Sequence, residues 1–261
     1  MNCKTNILFE IILCKMISIY RGVIKFMDTI NFDKVEYSYG KEKVINQATF
    51  SVREGAICGF VGANGAGKTT VAKLVLSIMQ PKFGEISIFG NKQPNLKKIG
   101  AIIGGPAFYG EKNAYDNLAI VSYMKQNKVD PSEITNILEL VGLEHVGKKK
   151  VKNFSMGMQQ RLSIGMSMLG NPKLLIWDEP LNGLDPDGIR EIRELIKKLN
   201  TENKVTFFVS SHILSELDLL IDDVVIINKG TILFSGEVKD FLEKYGVCKL
   251  EDAYMKCLGR E

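Results

Sequence analysis

The chain has 261 residues, of which 45% are hydrophobic and 25% are charged, values that are ordinary for a globular protein built around one large domain. Residues 1–26 contain four basic residues against Glu10 and so carry +3 of the formal net charge of +4. The rest of the chain is nearly neutral, and its charge gives no argument for nucleic-acid binding. The five cysteines lack C-x-x-C spacing and are interpreted as reduced intracellular thiols. The sequence contains no run of roughly 18 or more apolar residues, which a membrane-spanning helix would need.

The chain is predicted to divide into three parts. Residues 1–26 are interpreted as an N-terminal extension that is either not translated natively or disordered, because the domain pattern begins near Met27. The apolar stretch at 7–13 is interrupted by Glu10 and makes a poor signal peptide. Residues 27–240 are expected to form the main domain, with a helical subdomain at about 104–171, and residues 241–261 to form a short helical tail.

The predicted elements describe an α/β protein. Alternating apolar and polar residues with a turn at Tyr39-Gly40 predict antiparallel strands over 31–52, and the apolar run 56–61 predicts a buried parallel strand. Helical periodicity covers 68–79 and ends before Pro81. Further strands are predicted at 85–89, 99–103, 173–177, 205–210 and 224–227, and further helices at 114–126, 132–141, 156–169 and 188–199. The expected fold is a parallel-sheet core with an N-terminal antiparallel β subdomain and an inserted helical subdomain.

A glycine-rich loop between the first parallel strand and its helix fits the pattern G-x-x-x-x-G-K-S/T, which is typical of nucleoside triphosphate binding. Its glycines let backbone N–H groups converge on phosphate oxygens, and the helix adds its positive N-terminal end. Lys68 is expected to reach the β- and γ-phosphates and the Thr69 hydroxyl to bind Mg²⁺. The predicted ligands are therefore ATP and Mg²⁺, and the predicted binding residues are Gly62, Ala63, Asn64, Gly65, Ala66, Gly67, Lys68, Thr69 and Thr70.

Two adjacent carboxylates end the apolar run Leu174-Leu-Ile-Trp177. A buried strand that delivers acids at its carboxyl end places them beside the phosphate loop. Asp178 is expected to hold Mg²⁺, directly or through water, and Glu179 to polarise the attacking water. Without the glycine loop, a solvated strand end would be the commoner explanation of this pattern.

The segment Asn153-Phe-Ser-Met-Gly-Met-Gln-Gln-Arg161 opens a predicted amphipathic helix with a serine and a glycine. Such a helix start is either a simple N-cap or an anion site. Together with the loop and the acids, this segment resembles the signature of the ATP-binding subunits of ABC transporters, a resemblance that covers about Met27 to the C-terminus. It implies that Ser155 and the Gly157 backbone contact the γ-phosphate bound by a second subunit.

The same resemblance implies roles for three more residues. Asp185 matches the family's D-loop at the subunit interface, and His212 matches the switch histidine that contacts the γ-phosphate. Tyr39 fits the aromatic residue that stacks on adenine, with the neighbouring Tyr37 as the alternative. The catalytic residues implied are thus Glu179 and His212.

Three strings resemble the bacitracin and lantibiotic exporter branch of the family: Ser155-Met-Gly-Met158, Asn171-Pro-Lys-Leu-Leu-Ile176 and Asn182-Gly-Leu-Asp-Pro186. One position departs from it. The family carries Gln, or in this branch often Glu, where this chain has Gly104, and that side chain contacts Mg²⁺ or the attacking water and senses the membrane partner. The departure predicts slower or less tightly coupled hydrolysis.

The resemblance implies an ATP-hydrolysing subunit of an exporter for an antimicrobial peptide or antibiotic. It would form a homodimer on a separate transmembrane permease, at the cytoplasmic face of the membrane and without nucleic acid. The alternative is a nucleotide-gated sensing module with weak hydrolysis. Gly104 and the altered signature, with Met156 and Met158 in place of the commonest glycine and glutamine, favour it, whereas Glu179 and His212 argue against it. A protein acting on ribosomes or DNA is a further alternative, but the chain lacks the tandem modules or long coiled-coil arm typical of those proteins.

Overall fold

The computed structural model of the protein describes residues 28–105, 107–211 and 213–259, so the predicted extension at 1–26 lies outside the described residues. Its strands are β1 (Asp28–Tyr39), β2 (Glu42–Arg53), β3 (Ile57–Val61), β4 (Phe83–Ile88), β5 (Ile99–Ile102), β6 (Leu174–Asp178), β7 (Thr206–Ser211), β8 (Asp223–Asn228) and β9 (Thr231–Glu237). Its helices are α1 (Lys68–Val75), α2 (Ala114–Gln126), α3 (Pro131–Leu140), α4 (Met156–Met168), α5 (Pro186–Asn203), α6 (Leu214–Asp218), α7 (Val238–Tyr245) and α8 (Leu250–Cys257).

The N-terminal strands form an antiparallel sheet in the order β2-β1-β4. Phe32 of β1 lies opposite Phe50 of β2, and their rings stack with centroids 4.5 Å apart. Such cross-strand aromatic pairs stabilise a sheet through side-chain packing. The predicted antiparallel subdomain is confirmed.

The second sheet has the order β5-β6-β7-β3-β8-β9 and is parallel except for the β8–β9 hairpin. Strand β3 lies between β7 and β8, and β6 lies on the other side of β7. Because parallel strands share one carboxyl edge, the loop after β3 and the acids that end β6 lie at the same edge of the sheet.

Apolar side chains cover both faces of the parallel sheet. On one face, α1 packs between the two sheets, where Val71 and Leu74 share a cluster with Phe60 and Phe208. On the other face, helices α2 to α8 contribute to a second cluster around Trp177 and Phe207. The predicted α/β core with an inserted helical segment is confirmed, whereas the residue bounds proposed for the three parts stay a prediction.

Helix α4 lies unusually close to the edge strand β5. A Cβ atom added to Gly100 would lie 1.9 Å from the carbonyl oxygen of Ser167, so only glycine fits between this strand and this helix. The contact fixes the helix that carries the serine-glycine segment against the sheet that carries the acids.

Two helices differ from their predicted ranges by more than one residue at an end. Helix α1 ends at Val75 rather than Met79, because Ser77 adopts a left-handed φ of 56° and the Ile78 N–H returns to the Lys73 carbonyl at 3.0 Å. Leu76 and Met79 still pack against the core, which explains why apolar spacing overran the helix. Helix α5 covers 186–203 rather than 188–199, since a proline is well tolerated in the first turn of a helix.

Candidate functional site

The glycine loop runs from the end of β3 into α1 and needs glycine where it passes other backbone. A Cβ atom on Gly62 would lie 2.5 Å from the Ile227 carbonyl oxygen. Gly67 precedes α1 with a left-handed φ of 110°, a conformation that other residues rarely adopt. The Gly230 N–H also donates to the Ala66 carbonyl at 3.0 Å. Backbone from β8 and its hairpin therefore holds the loop in shape.

Lys68 begins α1 and points back over the loop. Its side chain is 7% exposed, and Nζ donates to the Gly62 carbonyl at 2.7 Å and lies 3.4 Å from the Ala63 carbonyl oxygen. The same nitrogen lies 3.5 Å from Oε1 of Glu179. The ammonium group thus stands between the loop and the second acid, at the positive end of a helix.

Asp178 is bound on both carboxylate oxygens. The Thr69 hydroxyl donates to Oδ2 at 2.6 Å, and the Ser210 hydroxyl on the neighbouring strand β7 donates to Oδ1 through a short hydrogen bond. Ser210 is directly paired with Asp178 in the β6–β7 register. Sequence reasoning did not single out Ser210; the available signal was a hydroxyl at the carboxyl end of an apolar strand.

Glu179 leaves the strand in a strained conformation. Its φ is 54°, a left-handed value that costs a residue other than glycine about 1–2 kcal/mol. The Glu179 N–H lies 3.1 Å from both the carbonyl oxygen and the hydroxyl oxygen of Ser210. Surrounding contacts maintain strain of this kind, and residues strained in this way are concentrated at functional sites.

The loop and the acids line one open cavity of about 300 Å³. The lining contains seven of the predicted loop residues, both acids and Val44, which sequence reasoning missed. Val44 reaches the loop because its carbonyl oxygen would lie 3.4 Å from a Cβ atom on Gly67. A larger cavity of about 670 Å³ lies elsewhere, between α3, α5 and the starts of β6 and β7.

The residues present fit a magnesium ion bound together with phosphate. Mg²⁺ prefers oxygen donors and is usually held by one or two protein groups plus substrate phosphates and water. Thr69 and Asp178 supply such oxygens side by side. Over the described residues, three or more His, Cys, Asp and Glu side chains do not gather into a metal cluster.

The serine-glycine segment forms the N-terminus of α4. Ser155 is the N-cap, and its side chain accepts from the Met158 N–H at 3.3 Å. Ser155 is exposed, and neither it nor Gly157 is among the described residues that line the phosphate cavity. A Cβ atom on Gly157 would lie 3.3 Å from the Gly183 carbonyl, so the helix start packs on the segment after the acids. Within one chain, the serine-glycine segment therefore does not line the cavity formed by the glycine loop and the acids.

The remaining predicted residues lie around this frame. Asp185 is exposed and caps α5 by accepting from the Gly188 N–H at 3.1 Å. Tyr39 is 44% exposed, with its hydroxyl 3.4 Å from the Met79 sulfur and its ring edge-on to Tyr37. Gly104 follows β5 in an exposed, left-handed conformation with φ of 69°. His212 lies outside the described residues.

A strand, glycine loop and helix followed by a second strand with paired acids define the class of phosphate-loop nucleoside triphosphatases. A family described as ABC transporter matches residues 45–182, just over half of the 261 residues. The chain therefore belongs to the ABC transporter family, and it is similar to ATP-binding proteins of that family.

Similar proteins place the chain within this family. It is 46% identical over 204 residues to the bacitracin transport ATP-binding protein BcrA of Bacillus licheniformis, a match covering 75% of this chain and 65% of that protein. It is 40% identical over 210 residues to the lantibiotic transport ATP-binding protein SrtF of Streptococcus pyogenes, covering 80% and 90%. The solved ATP-binding subunit of an ABC transporter superposes with a TM-score of 0.78 at 26% identity, covering 88% and 99%.

The relation to bacitracin and lantibiotic transport proteins that the sequence indicated is confirmed. A search of the described helices finds none that is long and apolar enough to cross a membrane.

Proposed function

We propose that this chain is the ATP-hydrolysing subunit of an exporter that removes an antimicrobial peptide or peptide antibiotic. The observation that carries the proposal is the 46% and 40% identity to proteins named for bacitracin and lantibiotic transport. Since the chain spans 65% of the length of the first of these, the cargo and partners are part of the proposal.

Hydrolysis is assigned to the cavity between the loop and the acids. Lys68 would contact the β- and γ-phosphates, since its ammonium already lies within the loop. Glu179 would accept a proton from water as the water oxygen bonds to the γ-phosphorus, while the bond from that phosphorus to the ADP oxygen breaks. The position of Glu179 Oε1, 3.5 Å from Lys68 Nζ, supports this role because it keeps the carboxylate beside the phosphate-binding ammonium. His212 is proposed as the γ-phosphate contact from the resemblance alone.

Mg²⁺ would be held by Thr69 and Asp178 and would neutralise phosphate charge when bound. The hydrogen bond of 2.6 Å between these two side chains supports this pairing, because it already places both oxygens on one side of the cavity. Tyr39 is proposed to stack on adenine, and its exposure of 44% supports this role.

A second copy is proposed to complete the site. Ser155 and the Gly157 backbone would contact the γ-phosphate held by the other chain, and Asp185 would lie at the same interface. The exposure of Ser155 and its absence from the described lining of the chain's own cavity support this arrangement. An exposed helix N-terminus with free backbone N–H groups is suited to an anion supplied by a partner.

Transport further requires a separate permease, which would hold this subunit at the cytoplasmic face of the membrane. Closure of the dimer on ATP and its reopening after hydrolysis would drive that permease. Gly104 offers no side chain to the γ-phosphate side or to the permease, so coupling is proposed to be looser than in a relative with Gln or Glu there.

Peptide resistance of a susceptible bacterial host tests the proposal. The chain is expressed with its proposed permease, and growth is measured across bacitracin and several lantibiotics. Resistance to at least one peptide, lost with Glu179→Gln, is expected. Unchanged resistance across the panel would contradict export, and equal resistance with Glu179→Gln would instead support the sensing module. Tyr123→Ala, an exposed change on α2, serves as the expression control.

A further inference from the structure

The side chain of Ser210 joins the two acids of the site from a neighbouring strand. It is 4% exposed and lies near the carboxyl end of β7, directly beside Asp178 in the sheet register. Its hydroxyl donates to Asp178 Oδ1 and accepts from the Glu179 N–H at 3.1 Å. A single hydroxyl thus makes one bond to each of two consecutive residues with different proposed tasks.

We infer that Ser210 is a positioning residue for hydrolysis, which orients the metal-binding carboxylate of Asp178 and holds the backbone that presents Glu179. The inference rests on the proposed roles of these two acids. Ser210 acts through these two residues.

One effect of the Ser210 hydrogen bond is to limit the rotation of the Asp178 carboxylate. Asp178 has two oxygens, of which Oδ2 faces the Thr69 hydroxyl and Oδ1 receives the Ser210 hydroxyl. The bond to Ser210 therefore commits Oδ1 to the sheet and leaves Oδ2 on the side of the phosphate loop. Without that bond, the terminal torsion of an aspartate is broad, and either oxygen could turn toward the metal side.

A second effect of Ser210 is to hold the strained backbone of Glu179. Its left-handed φ of 54° needs contacts that outweigh the strain, and its N–H bonds both polar oxygens of Ser210. Removing the hydroxyl would leave the carbonyl half of this contact. The fold should therefore survive while the base loses part of its fixed direction.

Few side chains could replace Ser210, because its position needs one group that both donates and accepts a hydrogen bond. The group must donate to a carboxylate and accept from an N–H in a buried space, which a hydroxyl does and an ammonium or amide nitrogen does not. A threonine keeps the hydroxyl, an alanine removes it, and a cysteine keeps the size with a much weaker donor. Partners of metal ligands that act in this way typically change metal affinity or activity by roughly 10- to 100-fold when removed.

The experiment compares Ser210→Ala, Ser210→Thr and Ser210→Cys with Ser122→Ala. Ser122 is a matched control because it is also buried and donates one hydrogen bond, to the Lys128 carbonyl at 3.0 Å, on helix α2. The measurements are kcat and KM for ATP, the Mg²⁺ concentration for half-maximal activity, and the thermal stabilisation by ADP with and without Mg²⁺. The last of these reports on metal binding without turnover.

Ser210→Ala is expected to lower kcat and to raise the half-saturating Mg²⁺ concentration by roughly 10-fold or more. Stabilisation by ADP without Mg²⁺ should stay at the wild-type value, the threonine variant should recover most of the loss, and Ser122→Ala should change only the melting temperature. If Ser210→Ala does not fold, the cysteine variant carries the same expectation.

A Ser210→Ala protein with wild-type kcat and Mg²⁺ dependence would overturn the inference, as would an effect confined to melting temperature. Glu179→Gln separates this failure from failure of the proposed function. If Glu179→Gln abolishes hydrolysis while Ser210→Ala leaves kcat and the Mg²⁺ dependence at their wild-type values, only the role of Ser210 is wrong. If the wild type does not hydrolyse ATP, the proposed hydrolytic site fails with it.

Discussion

The Thr69 hydroxyl donates to Asp178 Oδ2 at 2.6 Å, although 109 residues separate them in the chain. The contact joins the first turn of α1 to the carboxyl end of β6, two elements that meet only because the parallel sheet brings its strand ends to one edge. The proposed metal site is thus a product of topology, and its two ligands should depend on each other.

Thr69→Val and Asp178→Asn are each expected to reduce the extra stabilisation that Mg²⁺ adds to bound ADP, by weakening Mg²⁺ binding roughly 10-fold or more. Because the two groups act on one ion, the double variant should be little worse than the worse single variant. Thermal melting across a Mg²⁺ series measures this. Thr135→Val is the matched control, since its hydroxyl donates to the Pro131 carbonyl at 2.9 Å within helix α3, away from the cavity. Strictly additive losses would contradict a shared ion.

Gly104→Glu is expected to raise ATP hydrolysis severalfold in the presence of the permease, because it supplies a carboxylate where the missing side chain is proposed to loosen coupling. A Cβ atom on Gly104 would meet no described atom within 4 Å, so the space is open. The left-handed φ of 69° nevertheless costs a side chain about 1–2 kcal/mol.

Gly104→Ala separates these effects, since it carries the backbone strain without the carboxylate. Steady-state phosphate release is measured for both variants with and without the permease. Unchanged hydrolysis by the glutamate variant in both conditions would show that Gly104 does not limit the enzyme.

Glu111 connects the segment after β5 with the segment just before the signature helix. Hydrogen bonds from Lys152 and Lys150, at 2.7 and 2.9 Å, lower the pKa of Glu111 to about 2. This pKa lies below the ordinary glutamate value, so any contribution of the cluster to the free energy of unfolding is fully present at pH values above the ordinary pKa. That contribution is lost as the pH falls toward about 2. The side chains are exposed, so salt should raise the pKa back toward normal.

Carboxyl-carbon NMR titration measures this pKa directly. Lys152→Met should raise the pKa of Glu111, and Lys148→Met, a change in the same basic run, should leave it unchanged. An ordinary glutamate pKa in the wild-type protein would contradict the cluster.

Much of the frame is predictable from sequence because it follows from local patterns. Alternation predicts the β1–β2 hairpin, a continuous apolar run predicts β3, and the loop pattern predicts the order strand, loop and helix. The end of α1 is not predictable in this way, since Leu76 and Met79 keep helical spacing while Ser77 has already turned the chain.

The cross-strand part of the site is also hidden in the sequence. Ser210 precedes a serine and a histidine, and its importance depends on β7 lying next to β6, which no local pattern specifies. Val44 joins the cavity because the β2 backbone passes the loop and the β8–β9 turn. Both residues act through neighbours that are distant in the chain.

The central claim is that each ATP is shared between the loop of one chain and the signature of another. A mixture of two inactive variants tests it most directly: Lys68→Ala, which disables the loop, and Ser155→Arg, which disables the signature. In a head-to-tail dimer of one copy of each variant, one site combines the intact loop of the Ser155→Arg chain with the intact signature of the Lys68→Ala chain. The account predicts that ATP hydrolysis by the mixture clearly exceeds that of either variant alone. Hydrolysis no greater than the mean of the two separate variants would contradict a shared site.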